Sequence, residues 1–488
     1  MKRPALLRAG AALIALGAVT AACGSDSGEE ASETTKAGAS ATTAGGAAAG
    51  GNIANTVAGE NPASWGVKDK KLTGPGGFTV DLSKCPANWK DTGGVTDTEI
   101  RIGATVILSG SAAPYGAYAL STKAYFDYVN KTEGGVAGKK VVFDFKDSGY
   151  EAARAKAGMD ELLETGNLFA VAGNHGFPTG VAVYDKLNEQ CMPNVYPISA
   201  SPAWGDPVHH PWTVGAWLGY DTEARLWAKH IKDKFGAGAT IAGLAWNNDY
   251  GQIYKSVFEK AAKEEGLVVS KIVFHEGSAP NVTNEMTTLA ATNADVFIGM
   301  TGSPYCIQAM QHISGSAWRP KEKMVSQTCN SLAAYKSVGE GAVGWIHAGQ
   351  DKDSTDAQFA NDPGMKLWKD ALAAGGVDNV GFAGKGMTFA WPVIENLKRA
   401  SQMSGGLTRT NFLNAVRSHS AVHPALLDGI KWETNGSKDA FPIEGTVWRS
   451  YKFDAATSNG TFESVGAVID LNGTTPHCVW DGKACQPD

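Results

Sequence analysis

The chain has 488 residues, 43% of them hydrophobic and 19% charged, with a formal net charge of −6. That is apolar material for a sizeable core and length for about two or three domains. No basic run or basic-aromatic stripe occurs, which argues against a nucleic-acid partner.

The N-terminus reads as a targeting signal. Lys2, Arg3 and Arg8 supply positive charge, and residues 9–22 are apolar, uncharged and too short for a comfortable membrane span. The stretch ends Thr20-Ala21-Ala22-Cys23-Gly24. Small residues before a cysteine follow the pattern of a bacterial lipobox, although Thr20 stands where that motif usually has leucine. Cys23 is then the expected lipidated residue; a plain secreted chain with an odd cysteine is the alternative. Cleavage before Cys23 removes three positive charges and leaves about −9. Residues 23–60 form the lipidated cysteine and a tether of Gly, Ala, Ser and Thr, with no aromatic residue before Trp65. Such a segment lacks the apolar surface to fold. Residues 61–95 read as an N-terminal extension.

Six further cysteines, an even number in an exported chain, suggest disulfides. Proximity favours Cys478–Cys485, and placement after strand ends favours Cys306–Cys329. Cys85–Cys191 is left over. No CxxC or Cys/His spacing suggests a metal, and His209 and His210, being adjacent, share no helix face. Neither a metal nor a cofactor is expected.

The body begins with a strand at 100–108 and a small-residue loop. A helix follows, with Pro114 in its first turn and Leu120, Ala124 and Tyr128 at helical spacing. A strand at 141–145 runs into Asp147-Ser148-Gly149-Tyr150 and an alanine-rich helix, 151–164. A third strand, 168–173, leads through Asn174-His175-Gly176-Phe177 to a helix, and a fourth spans 194–201. The pattern then restarts with a helix at 221–235 and strands at 239–246, 268–274, 294–300 and 323–328. A strand at 342–350, helices at 356–374, 385–400 and 408–418, and an alternating tail at 446–470 complete the chain. This alternation means an α/β fold of parallel, doubly wound sheets in two lobes. Lobe 1 is expected to take 96–218 and 348–445; lobe 2 takes 219–347 and 446–488.

Ligands of such sheets lie beyond the carboxyl ends of the strands. The candidate wall is therefore the loops 109–115, 147–150, 174–179, 199–204, 247–250, 301–305 and 327–330. They are rich in Tyr, Trp, Phe, Ser and Thr and poor in charge. That suits a neutral or singly charged organic solute.

Residues 94–103, Leu108-Ser109-Gly110 with Tyr115-Gly116, Asp147-Ser148-Gly149-Tyr150, Asn248-Asp249-Tyr250-Gly251 and 384–399 resemble the branched-chain amino acid-binding family of solute-binding proteins for ABC importers. The resemblance spans roughly 94–470. It implies a type I periplasmic-binding-protein fold: two Rossmann-like lobes joined by three crossover strands, closing by hinge bending on a solute in the cleft. It further implies an extracytoplasmic, monomeric, lipid-anchored protein that hands a small-molecule solute to permease and ATPase subunits.

The family's carboxylate-holding positions fall at His175, Gly176 and Phe177 and at Ser199, Ala200 and Ser201. Its aromatic positions fall at Tyr115 and Tyr250. Ser109, Trp246, Thr301, Tyr305 and Asn330 complete the expected ligand-binding set. The family's acid for the ammonium group would lie in the loop Gln327-Thr328-Cys329-Asn330, which holds none. A buried, unpaired ammonium is costly. Amides and aromatic or apolar carboxylates therefore stand beside amino acid-like solutes as candidates. Two other readings are a sensor component of the same fold and a secreted hydrolase. The latter would use Ser199 or Ser201 with His175, but no Gly-x-Ser-x-Gly elbow surrounds either serine.

Overall fold

The computed structural model describes residues 53–482 and 484–486. The targeting segment, Cys23 and most of the tether lie outside the described residues.

The first sheet grows from Glu99–Val106 (β1), a β-branched run whose buried residues begin at Ile100. Lys140–Asp147 (β2), Ala170–Ala172 (β3), Asn194–Val195 (β4) and Thr213–Val214 (β5) join it in the order β2-β1-β3-β4-β5, all parallel. Helices Ala117–Thr132 (α1), Ala152–Thr165 (α2) and Phe177–Glu189 (α3) make the crossovers. The fourth strand is shorter than the sequence suggests. Tyr196 takes a left-handed backbone with φ of 53°, and Pro197 has no N–H to donate, so the ladder stops at Val195.

The chain then passes to a second sheet. Tyr220–Phe235 (α4) leads to Thr240–Trp246 (β6), and Asp249–Glu264 (α5) to Val268–His275 (β7). Val296–Met300 (β8), Glu322–Val325 (β9) and Trp345–Gly349 (β10) follow, with Thr283–Ala290 (α6), Tyr305–Gly315 (α7) and Leu332–Val338 (α8) between them. The order β7-β6-β8-β9-β10 is parallel and repeats that of the first sheet. After β10 the chain returns to the first lobe. There Pro363–Ala374 (α9), Met387–Gln402 (α10) and Arg409–Val416 (α11) pack, α9 and α10 against α1. A third passage brings Gly445–Asp454 (β11) and Asn459–Asp470 (β12) back to the second sheet, where β11 pairs antiparallel with β10 and β12 forms the edge.

Several expectations need correction. Pro114 belongs to a separate 3₁₀ turn, Ala113–Gly116, ahead of α1. The buried stripe of α1 runs Tyr118, Thr122, Tyr125 and Val129, so Leu120 falls off it and is 44% exposed. Residues 53–60 are not tether: Ile53 and Val57 are buried, and Thr56 pairs with His419. Two well-placed aliphatics outweigh the small-residue composition around them.

The extension forms a three-stranded sheet, Gly66–Lys68, Lys71–Thr73 and Thr79–Asp81. Its Leu72, Phe78 and Val80 share a core with Trp212 and Leu413. The Cys85–Cys191 disulfide, with an S–S distance of 2.02 Å, fixes it to the end of α3. Cys306–Cys329 and Cys478–Cys485 are also bonded. The last of these closes a C-terminal hairpin, Val479–Trp480 with Cys485–Gln486, within the segment that the sequence assigns to lobe 2. Its Cys478 N–H instead donates to Gly205 O at 3.1 Å, and Trp480 packs against Phe177 with ring centroids 5.7 Å apart.

Cys85 and Cys191 are 106 residues apart. Replacing both by serine should lower stability by about 2–4 kcal/mol, read from the urea midpoint, because a long loop is released in the unfolded chain. An unchanged midpoint would show that the extension is held by packing alone.

Candidate functional site

The loops at the carboxyl ends of both sheets meet around one small cavity of about 40 Å³. From the first sheet come Ile107, Ala112 and Tyr115 after β1, Tyr150 after β2, and His175, Gly176 and Phe177 after β3. Ile198 follows β4, and Trp217 and Tyr220 follow β5 on the passage to the second sheet. The second sheet supplies Trp246 and Tyr250 after β6, Gly302 after β8 and Thr328 after β9. No lining side chain is a carboxylate, lysine or arginine.

The walls are joined across the cleft. Tyr115 Oη accepts the Ser303 N–H and donates to Thr328 O, both at 2.9 Å. The approach depends on Gly302, where a Cβ would sit 2.7 Å from that hydroxyl. Tyr150 meets Trp246 with ring centroids 5.2 Å apart and bonds the Asn248 side chain. Tyr150 has a left-handed backbone, φ 65°, an uncommon conformation for a bulky residue. Its ring lies over Gly176, where a Cβ would come within 2.5 Å. Gly176, with φ 97°, is required on both counts. Outside this pair lies a groove of about 600 Å³ that shares Tyr150 and Trp246 with the cavity.

Burial sets the protonation states. It pushes the Tyr115 phenol up to about 12 and drops the His175 imidazole to about 3, so both are neutral at ordinary pH. Behind the second-sheet wall, Glu223 of α4 accepts hydrogen bonds from Tyr254 and from the Gln327 N–H. Burial pushes its carboxyl up to about 8 despite them.

Of the residues expected to bind ligand, Tyr115, His175, Gly176, Phe177, Trp246 and Tyr250 line the cavity. The others are placed elsewhere. Ser109 donates to Asp147 at 2.5 Å. Ser199 Oγ accepts from the Trp204 ring N–H, and Ser201 caps the turn Pro202–Gly205. The Ala200 N–H serves the Tyr220 hydroxyl. Thr301 Oγ1 bonds His275, and Tyr305 donates to Gly277 O and Ala279 O. Asn330 is buried outside the lining. Trp217, Tyr220 and Ile198 were missed. The aromatic cluster Trp212, Trp217 and Tyr220 at a lobe junction was the available signal.

Two doubly wound sheets that face each other across a shared aromatic cavity define a two-lobed cleft binder. A family model described as periplasmic binding protein matches residues 99–435, and the chain belongs to that family. The fold is shared with a branched-chain amino acid ABC transporter protein from Thermus thermophilus with bound valine: TM-score 0.67, 14% identity, covering 77% of this chain and 97% of that one. A fatty acid ABC transporter substrate-binding protein from Thermomonospora curvata gives 0.62 and 20%, covering 80% and 95%. A solute-binding protein from R. palustris in complex with 4-hydroxybenzoate gives 0.63 and 17%, covering 76% and 97%. No curated protein sequence matches the chain.

Glu223 is protonated in the folded chain and ionised in the unfolded one between about 4.5 and 8. Folding takes up a proton there, so stability falls as pH rises through that window. Buried neutral histidines such as His175 and His423 act oppositely below 6.5, so the informative comparison is with a variant. Relative to Glu223→Gln, the native chain should lose up to about 1.4 kcal/mol per pH unit across the window, measured by urea unfolding. Parallel pH profiles would contradict this.

Proposed function

We propose that this protein is the extracytoplasmic solute-binding component of an ABC importer. It captures a small organic solute, amino acid-like, amide, or aromatic or apolar carboxylate, between its lobes and presents the closed form to permease and ATPase subunits. The observation that carries the reading is the cavity itself: its lining comes from the ligand-bearing ends of both sheets, and Tyr115 spans the two. The ABC transporter proteins that share the fold support it. A cavity of about 40 Å³ holds a water or two, so solute entry requires the lobes to part. Breaking the Tyr115 bonds and the Tyr150–Trp246 contact is the motion this geometry suggests. The chain works as a monomer held to the membrane through lipid on Cys23.

Thermal unfolding of the chain from Gly24 onward, against a panel of such solutes, tests the reading. A true ligand at about a hundred times its dissociation constant should add roughly 2.7 kcal/mol of stability. Trp246→Ala should weaken that ligand by about 1–3 kcal/mol, because a stacked indole wall is lost. A stabilising solute indifferent to Trp246→Ala would place binding outside the cleft. For the anchor, Cys23→Ala should move the protein from membrane to soluble fractions; retention in membranes would rule out the lipid at Cys23.

A further inference from the structure

The polar groups around the cavity divide into two sets. In the first, every group has a partner. Tyr115 Oη is bonded to Ser303 and Thr328, Tyr250 Oη to Thr301 O and Thr328 Oγ1, Tyr150 to Asn248, and Tyr220 to the Ala200 N–H. In the second, no protein group answers: His175 Nδ1, Trp217 Nε1 and Tyr118 Oη are buried and unpartnered. His175 and Trp217 line the cavity. Tyr118 packs against both, with ring centroids 5.6 and 6.2 Å away. A buried polar group without a partner costs free energy that a ligand atom can recover.

Each group of this second set can donate: an indole N–H only donates, and a phenol and a neutral imidazole can donate or accept. Three donors exceed the two lone pairs of a single carbonyl oxygen but suit the four lone-pair sites of a carboxylate. Phe177, the first residue of the 13-residue α3, also lines the cavity, so a helix N-terminus faces the same space and favours negative charge. No lining side chain is a carboxylate that could pair with an ammonium group. Glu223 is spent on Tyr254 and Gln327, and Asp351 is paired with Lys385 at 2.7 Å.

Building on the cleft reading above, we propose that the solute is an apolar or aromatic carboxylic acid without an ammonium group. Its carboxylate is held by Trp217, His175 and Tyr118, and its body lies among Tyr115, Trp246 and Tyr250.

Isothermal titration of the chain from Gly24 onward tests this with matched pairs: 3-phenylpropionate against L-phenylalanine, and 4-methylpentanoate against L-leucine. Within each pair only the α-ammonium differs. The des-amino acid should bind at least about 100-fold tighter than its amino acid, because the ammonium would be buried unpaired. 3-Phenylpropionamide, neutral at the head, should bind about 10-fold or more weaker than the acid. Trp217→Phe removes one donor and keeps the ring packing on Phe389, whose centroid lies 4.8 Å away. It should weaken the acids about 10-fold. Amino acids that bind as tightly as their des-amino partners would overturn the solute class. If Trp246→Ala abolished that binding, the cleft would still stand. Failure of both pairs to bind, or acids indifferent to Trp217→Phe, would also overturn the proposal.

Discussion

One phenol holds the two lobes together at their centre. The Tyr115 hydroxyl accepts a hydrogen bond from the Ser303 amide and donates one to Thr328 O, while its ring stacks on Phe382 at 4.4 Å. The ring is anchored on the first lobe and the partners belong to the second. Water can replace both bonds when the lobes separate, so their net contribution is about 1 kcal/mol each. A closed state secured by such exchangeable bonds lies close in energy to an open one, and a solute that contacts both walls is able to decide between them.

The rest of the site follows from keeping charge away from this contact. The cavity wall has aromatic rings, small residues and backbone, while the nearest acids are occupied in the layer behind. Glu223 ties α4 to the loop after β9 through Tyr254 and Gln327. Asp351 and Lys385 satisfy each other where the chain returns to the first lobe. These acids are bonded to protein, and Trp217 Nε1, His175 Nδ1 and Tyr118 Oη remain as uncommitted groups that a solute can address.

Much of this was readable in the sequence because it depends on local pattern. The β-branched run at β1, the alternation of strands and helices, and the rule that loops follow strand ends together put Tyr115, His175, Phe177, Trp246 and Tyr250 on one wall. Cys478–Cys485 followed from proximity and Cys306–Cys329 from strand ends, and Cys85–Cys191 was the pair that remained. What escaped was decided by tertiary competition. Ser199 and Ser201 have suitable hydroxyls, but Trp204 and a turn nearby claim them first. Trp217 and Tyr220 sit on a passage between lobes, where no periodicity marks which way a ring faces. Ile53 and Val57 fold because His419 and its surroundings are within reach, and that proximity is invisible in a Gly/Ala-rich stretch. The C-terminal hairpin reaches Gly205 and Phe177 for the same reason.

The central claim is that solute binds inside the closed cleft with its oxygen atoms at the first-lobe donors. A crystal structure of the protein grown with its tightest-binding small solute tests it most directly. The solute should lie between Tyr115, Trp246 and Tyr250, with an acceptor atom within hydrogen-bond reach of Trp217 Nε1 and the lobes shut around it. A solute bound in the outer groove beyond Tyr150 and Trp246, or on the surface, with Trp217 and His175 still unpartnered, would contradict it.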